Sequence, residues 1–184
     1  PAGLRGPVLG RLDGNLEGDA LLFMGPKLAE WVADPRRLAE HAVPAARSGN
    51  PGLKAGAAGG WLIVLGEVRG VQGREAGLLA LGALGVRAVL AAGFEARART
   101  LFSRAGLLAL RVLRASDLDT IQLGDELELV GGLEAFAPDR ARVVRDLTRA
   151  FAVVALPEQS SREWHWVSSG GAELLAAPRG RGPC

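Results

Sequence analysis

The sequence predicts an α/β fold, and three observations carry this prediction. Residues 61–65 are a fully apolar run between Gly60 and Gly66, and residues 86–91 are a second, mostly apolar run. Runs of this length and composition are typical of buried parallel strands. Between them, residues 74–84 have the pattern of a helix that ends at Gly85. A strand, a helix and a strand in this order predict one βαβ unit.

The residues before this unit predict a strand, a helix and a loop. Gly- and Pro-rich turns open the chain, and residues 16–24 end in a strand-like apolar run. Residues 28–41 have helical spacing, with a helix start signal at Asp34 before Pro35. Residues 43–60 are rich in Gly, Ala, Pro, Ser and Asn, which indicates a loop.

The residues after the unit predict a short helix, several extended segments and a final helix. The first predicted segments are an arginine-rich helix at 92–105, extended structure at 107–113 and a hairpin of 121–123 with 126–130. Apolar and polar residues then alternate loosely at 142–156, and a helix is predicted at 157–175. We expect one domain over residues 1–175 and a flexible tail over residues 176–184.

The composition excludes several classes of protein. With 184 residues, 48% of them hydrophobic and 23% charged, the chain is globular in composition. Its single cysteine, Cys184, excludes an internal disulfide framework and any Cys-rich metal or iron–sulfur site within the chain. Only Lys27 and Lys54 among 22 basic residues are lysines, and the net charge is +2, which does not indicate a strongly cationic surface. No stretch reaches the ~18 apolar residues of a membrane-spanning helix.

The Gly-rich turn at residues 66–73 is a candidate anion site. Backbone N–H groups and the positive end of the helix dipole favour negative charge where a strand turns into a helix. The turn is neither G-x-G-x-x-G nor a Walker A loop, so nucleotide binding is poorly supported. Arg69 and Arg74 could grip a carboxylate or a phosphate there. The alternative is a tight turn whose glycines serve packing alone.

Short motifs along the chain carry a family resemblance. In order, they are N-L-E-G-D at 15–19, D-P at 34–35 with L-A-E-H at 38–41, L-I-V-L-G-E-V-R-G-V-Q-G-R-E-A at 62–76, G-V-R-A-V-L-A at 85–91, G-D-E-L-E-L at 124–129, and L-P-E at 156–158. In this order and spacing, over about residues 8–175, the chain resembles the small subunit of 3-isopropylmalate dehydratase. The resemblance implies the swivelling β/β/α domain of the aconitase superfamily.

The same resemblance implies a site and a partner. In the family, a separate large subunit holds a [4Fe–4S] cluster, and a small-subunit motif S-S-R-E supplies a Ser base and an Arg that grips a substrate carboxylate. Here Gly73 directly precedes Arg74 and Glu75, one residue is missing, and both serines are absent. The inherited catalytic positions are Asp19, Arg74 and Glu75, and the expected substrate-binding residues are Arg74, Gly70 and Gly73. No metal ligand is expected in this chain.

Three hypotheses follow for function. The first is a catalytically degenerate relative that acts as a structural or interaction subunit of a larger complex, for example an organellar one such as a mitochondrial ribosome. The second is the small subunit of a hydro-lyase that isomerises isopropylmalate-like or homoaconitate-like acids, with the cluster on the large subunit. The third is a module that binds a carboxylate effector at the Gly-rich turn. The chain begins at Pro1 without a leader pattern, which leaves a mitochondrial matrix, another organelle and a bacterial cytoplasm open.

Two further features have alternative interpretations. Arg87, Arg97, Arg99 and Arg104 could form a basic face that contacts RNA, or a solvated helix face with carboxylates nearby. Residues 160–163 spell the missing S-S-R-E motif, but Ser at this place is also typical of a helix N-cap. We favour the helix start, because the glycines that frame the family's catalytic loop are absent around residues 160–163.

Overall fold

Eight strands and three α-helices make up the part of the chain that the structure describes. The structure is a computed structural model, and it describes residues 3–21, 37, 47–57, 59–133 and 139–168. The strands are β1 (Arg5–Leu12), β2 (Leu16–Glu17), β3 (Gly60–Arg69), β4 (Val86–Phe94), β5 (Leu108–Val112), β6 (Glu126–Leu129), β7 (Arg142–Asp146) and β8 (Phe151–Pro157). The α-helices are α1 (Glu75–Ala83), α2 (Ala98–Arg104) and α3 (Ser161–Ser168), and short 3₁₀ helices lie at Gly18–Leu21 and Ala115–Thr120.

Seven of these strands close into a barrel. The strand order is β1-β6-β7-β8-β5-β4-β3, and β1 also pairs with β3, which joins the two ends of the sheet. β3, β4 and β5 are parallel to one another, as the predicted βαβ unit requires, and β1 and β2 are each parallel to β3. The pairs β1–β6, β6–β7, β7–β8 and β5–β8 are antiparallel. β2 adds to the carboxyl-terminal half of β3, with Leu16 opposite Val68. The predicted α/β fold is confirmed.

The strands bury both of their faces, which explains their apolar runs. In β3, Trp61 and Ile63 point into the barrel, and Leu62 and Val64 point outwards into a second core that includes α1 and α2. All four side chains are fully buried. Since both faces of β3 are covered, its sequence is continuously apolar instead of alternating. Val167 of α3 belongs to the core inside the barrel.

β1 was not predicted, because its composition is typical of turns. Gly6, Pro7 and Gly10 lie within it. Its glycines allow close packing, since a Cβ atom at Gly6 would lie 2.1 Å from the carbonyl oxygen of Gly59. Pro7 lies in the antiparallel pair with β6, opposite Glu126. The need for close approach, and not a turn, explains these residues.

Several predicted boundaries were wrong. β3 continues through Arg69 and β4 through Phe94, so the turn after β3 is shorter and α2 starts later than the sequence indicated. Residues 121–123 form no strand, and β6 pairs with β1 and β7 instead. Residues 142–156 are two strands joined by a turn, and α3 starts only at Ser161. The predicted helix at 28–41, apart from Arg37, and the predicted tail at 176–184 lie outside the described residues.

Candidate functional site

The β3–α1 turn, residues 70–74, lies where the carboxyl ends of β3 and β4 meet β2. Gly70 and Gly73 have φ angles of +64° and +75°, which side-chain-bearing residues rarely adopt. Between them, Val71 is fully buried in the outer core. Its carbonyl oxygen accepts a hydrogen bond from the Arg74 amide at 3.0 Å. A buried side chain and two left-handed glycines therefore hold this turn in one shape.

A backbone crossing brings the candidate residues Asp19 and Arg74 together. A Cβ atom at Gly18 would lie 1.9 Å from the carbonyl oxygen of Gly70, so the segment after β2 passes directly over the turn. Arg74 Nε donates to the Gly18 carbonyl oxygen at 3.2 Å, and Arg74 Nη2 lies 4.0 Å from Asp19 Oδ1. The Asp19 side chain is 90% exposed and that of Arg74 is 33% exposed. Glu75 begins α1 directly after this group and is half-buried.

A carboxylate of the chain itself occupies the turn. Glu95 directly follows β4, and its Oε1 atom accepts a hydrogen bond from the Val71 amide at 3.0 Å. An anion at this turn agrees with the expected preference of a strand–turn–helix junction. The anion comes from the protein, so this amide is already satisfied. Glu95 was not predicted as part of the site. The one feature of the sequence that indicates it is its position at the end of the strand that neighbours β3.

The Arg69 side chain is turned towards β2. Its Nη2 and Nε atoms lie 2.6 and 3.1 Å from Glu17 Oε1. The hydrogen bond from Arg69 holds the pKa of Glu17 below its usual value, and the same bond raises the pKa of Arg69. Asn15 Nδ2 also donates to Glu17 Oε1 at 3.3 Å, and Asn15 Oδ1 accepts from the Glu67 amide at 2.8 Å. Of the two candidate gripping arginines, Arg69 is therefore engaged with a carboxylate and Arg74 faces the turn.

The four arginines of the predicted basic face do not share one face. Arg87 is in a bulge at the amino end of β4, beside Gly59. Arg97 and Arg99 follow the other end of β4, and two residues apart on a helix they point in nearly opposite directions. Arg97 Nη1 is held by Gln72 Oε1 at 2.8 Å. The structure therefore gives no support to the predicted RNA contact through Arg87, Arg97, Arg99 and Arg104.

The S-S-R-E segment is the start of α3, as favoured from the sequence. The Ser160 and Glu163 residues form a capping box, in which the Ser160 amide donates to Glu163 Oε2 at 2.9 Å and the Glu163 amide donates to Ser160 Oγ at 3.3 Å. Thr100 Oγ1 of α2 donates to Glu163 Oε1 at 2.6 Å. Burial opposes ionisation of Glu163, but these hydrogen bonds outweigh it and lower its pKa. These groups link α2 to α3 and leave the Ser160 hydroxyl engaged.

Within the described ranges, no three His, Cys, Asp or Glu side chains are grouped as ligands of a metal ion would be. None of the helices there combines the length and the apolar composition that crossing a membrane requires.

Comparisons with known proteins identify the fold. No family model and no curated protein matches the chain. Among solved structures, the chain is similar to 3-isopropylmalate dehydratase (leuD) from Methanocaldococcus jannaschii, with a TM-score of 0.67 and 18% sequence identity. The match covers 95% of this chain and 98% of that chain. The chain therefore has the mixed α/β fold of that dehydratase structure.

Proposed function

We propose that this chain is a non-catalytic relative of the small subunit of 3-isopropylmalate dehydratase and acts as a structural or interaction subunit of a larger complex. The β3–α1 turn carries this proposal. Where the related motif has two serines, residues 70–74 are Gly-Val-Gln-Gly-Arg, without a hydroxyl, thiol or imidazole group. The polar side chains of the turn are bound within the chain, Gln72 to Arg97 and Arg74 to the Gly18 carbonyl.

The carboxylates near the turn are poor substitutes for the missing base. A general base works best when its pKa lies near the working pH. The pKa of Glu17 is instead lowered by its hydrogen bond from Arg69. Glu95 already accepts a hydrogen bond from the Val71 amide. Protonation of either group would weaken the hydrogen bonds that it accepts at this edge of the barrel.

A [4Fe–4S] cluster does not fit the residues of this chain. Such clusters are held mainly by cysteine thiolates. The one cysteine, Cys184, lies outside the described residues. If cluster chemistry is involved, a partner chain must bring the cluster, which is consistent with a role as one subunit among several.

Reconstitution tests the proposal directly. The full chain would be mixed with a cluster-bearing large subunit of an active isopropylmalate dehydratase, and isomerisation would be followed by absorbance. We expect no turnover above the large subunit alone, because the turn offers no base. The matched control is the large subunit with its own small subunit. Turnover within tenfold of that control would contradict the proposal.

Purification from the native source tests the complex. We expect the tagged full chain to recover a multi-subunit assembly, of which an organellar complex such as a mitochondrial ribosome is one example. Recovery of a single partner that carries the cluster cysteines, with activity, would contradict the proposal and favour an enzyme.

Arg74 favours a second candidate function, a hydro-lyase small subunit acting on isopropylmalate-like or homoaconitate-like acids. Its guanidinium lies at the mouth of the turn and keeps exposed surface. If the native complex isomerises such an acid, Arg74→Ala should lower kcat/KM by ~10- to 100-fold, the effect of losing one charge-assisted hydrogen bond to a carboxylate. Arg87→Ala, at the opposite end of β4, is the control. Unchanged kinetics in the Arg74→Ala complex would contradict this candidate.

A further inference from the structure

Two buried carboxyl groups lie close together at the end of the barrel where β6 begins and β7 ends. Asp125 directly precedes β6, and Asp146 is the last residue of β7. They are 3% and 2% exposed. Both carboxyl groups bind Arg149: Asp125 Oδ2 accepts from its Nε atom and Asp146 Oδ1 accepts from its amide. The two groups are close enough to influence one another's ionisation, and two ionised carboxylates could not form a hydrogen bond, because each has only acceptor atoms.

The surrounding donors indicate where the proton lies. Asp125 Oδ2 accepts from the Gln122 amide at 2.8 Å and from Arg149 Nε at 2.6 Å. Asp146 Oδ1 accepts from the amides of Thr148 and Arg149, both at 2.9 Å. Asp146 Oδ2 is buried, and no donor in the described part of the chain reaches it. A proton held by the pair would therefore lie on this oxygen, with Asp125 as its acceptor.

Among the residues that the structure describes, one cation is bound to this pair of carboxyl groups. It is Arg149, from the turn between β7 and β8. The other charged groups of the neighbouring elements are engaged elsewhere or exposed: Arg5 with Glu126, Arg145 with Glu128, Arg11 with Asp13, Arg114 with Asp117, and Asp119 in solvent. A doubly ionised pair would thus bury one uncompensated negative charge, which is costly at this depth.

The surroundings shift the pKa values of the two carboxyl groups in opposite directions. Burial raises the pKa of Asp146, and the hydrogen bond and charge of Asp125 raise it further. Burial also opposes ionisation of Asp125, but the hydrogen bonds from Arg149 and the Gln122 amide outweigh it and lower its pKa. Such a split is typical of two carboxyl groups that share one proton.

The pair lies where three parts of the barrel meet. The Val8 amide of β1 donates to the Asp125 carbonyl oxygen at 2.8 Å. The Leu147 amide donates to the Glu126 carbonyl oxygen at 2.8 Å, and the Glu126 amide donates to Thr148 Oγ1 at 2.8 Å. Movement of either carboxyl group would therefore disturb the contacts that close β1 onto β6 and β6 onto the β7–β8 turn.

We propose that Asp125 and Asp146 share one proton and that this proton makes the β1–β6–β7 end of the barrel a pH-dependent latch, closed while the proton is held and loosened when it leaves. The proton passes from Asp146 Oδ2 to solvent, and no other group is consumed.

The direction of the pH effect follows from proton linkage. Above the ordinary Asp pKa of about 3.9, the unfolded chain has released the proton that folded Asp146 still holds. The unfolding constant then rises by up to about tenfold per pH unit until the folded pair also loses its proton. Asp125 has its effect at acidic pH. Its lowered pKa stabilises the fold above about pH 3.9, and that stabilisation is lost as the pH falls through the pKa of Asp125 in the folded chain.

Asp146→Asn tests the latch, because an asparagine keeps the acceptor for the Thr148 and Arg149 amides and donates to Asp125 without titrating. Amide hydrogen exchange would be measured from pH 4.5 to 9 and expressed as protection factors. In the unsubstituted chain we expect the protection factors of the Val8 and Leu147 amides to fall at least tenfold as the pair deprotonates. In Asp146→Asn they should stay constant. The Leu107 amide, bound to the Phe102 carbonyl, is the internal control.

A second measurement does not depend on the variant. The ¹³C carboxyl resonance of Asp146 in the unsubstituted chain should titrate above the ordinary Asp range. Titration at or below about pH 3.9 would overturn the proposal. So would protection factors at Val8 and Leu147 that fall equally in both chains.

Discussion

Replacing Gly77 with alanine is expected to destabilise the fold by about 1–3 kcal/mol, the cost of overpacking a filled core. Gly77 lies in the first half of α1 and is buried. A Cβ atom there would lie 2.4 Å from the carbonyl oxygen of Leu21 and 2.7 Å from its Cβ atom. Since the obstacle is backbone, it cannot rotate away, and α1 would have to move off the 3₁₀ segment behind it.

The direction of this effect is opposite to that expected from helix propensity. Alanine is favoured over glycine inside a helix by about 0.8–1 kcal/mol. Gly82 of the same helix is a position where helix propensity acts without a steric clash. Among the described residues, a Cβ atom there would meet Leu107 Cδ2 at 3.9 Å and the Ala105 carbonyl oxygen at 4.0 Å. Gly82→Ala should therefore stabilise the chain by about 0.5–1 kcal/mol.

Urea unfolding of the two variants measures the difference, and the slope of each transition shows whether the unfolding remains two-state. The contact between Gly77 and Leu21 also fixes the segment that crosses over Gly70, so its loss should loosen the β3–α1 turn. A Gly77→Ala chain as stable as Gly82→Ala would show that α1 does not pack against Leu21 in solution.

The part of the fold that the sequence predicts is the part with local signals. Strands β3 and β4 are buried on both faces, so their apolar runs stand out, and Gly85 marks the end of the helix between them. Closure of the barrel has no such signal. β1 pairs with β3 and β6, which are distant in sequence, and its Gly6 and Pro7 favour a turn when only neighbours are considered.

The candidate site also has features that local sequence signals predict and contacts that they do not predict. The position of the turn and the candidate Arg74 could be predicted, because glycines and a charged helix start are local features. The crossing of Gly18 over Gly70 and the capture of the Val71 amide by Glu95 could not, because each joins residues more than twenty positions apart. Both contacts depend on how β2 and β4 flank β3.

β7 shows why even a strand with clear alternation can mislead. Its buried positions are Arg142, Val144 and Asp146, and its exposed positions include Val143 and Arg145. Two of the three inward side chains are thus ionisable, so hydrophobicity alone does not indicate which face is buried. The inward arginine and aspartate are accepted because each has specific hydrogen-bonding partners at an end of the barrel.

Arg142→Ala is expected to lower the free energy of unfolding by about 2–4 kcal/mol, because it removes a buried charged donor from two acceptors. Arg142 is 9% exposed, and its Nη2 atom donates to the carbonyl oxygens of Val130 and Gly132 at 3.0 and 2.8 Å. These bonds hold the turn after β6 against the start of β7. Arg142→Met separates packing from hydrogen bonding, since methionine keeps most of the apolar stem and has no donor.

Arg145 is the matched control from the same strand. Its Nη2 atom lies 3.5 Å from Glu128 Oε2, with the two side chains 54% and 33% exposed. An exposed pair of this kind contributes about 0–1 kcal/mol, so Arg145→Ala should be nearly neutral in the same urea experiment. Equal losses for Arg142→Ala and Arg145→Ala would mean that Arg142 is solvated, and hence that the turn after β6 does not close over the barrel interior.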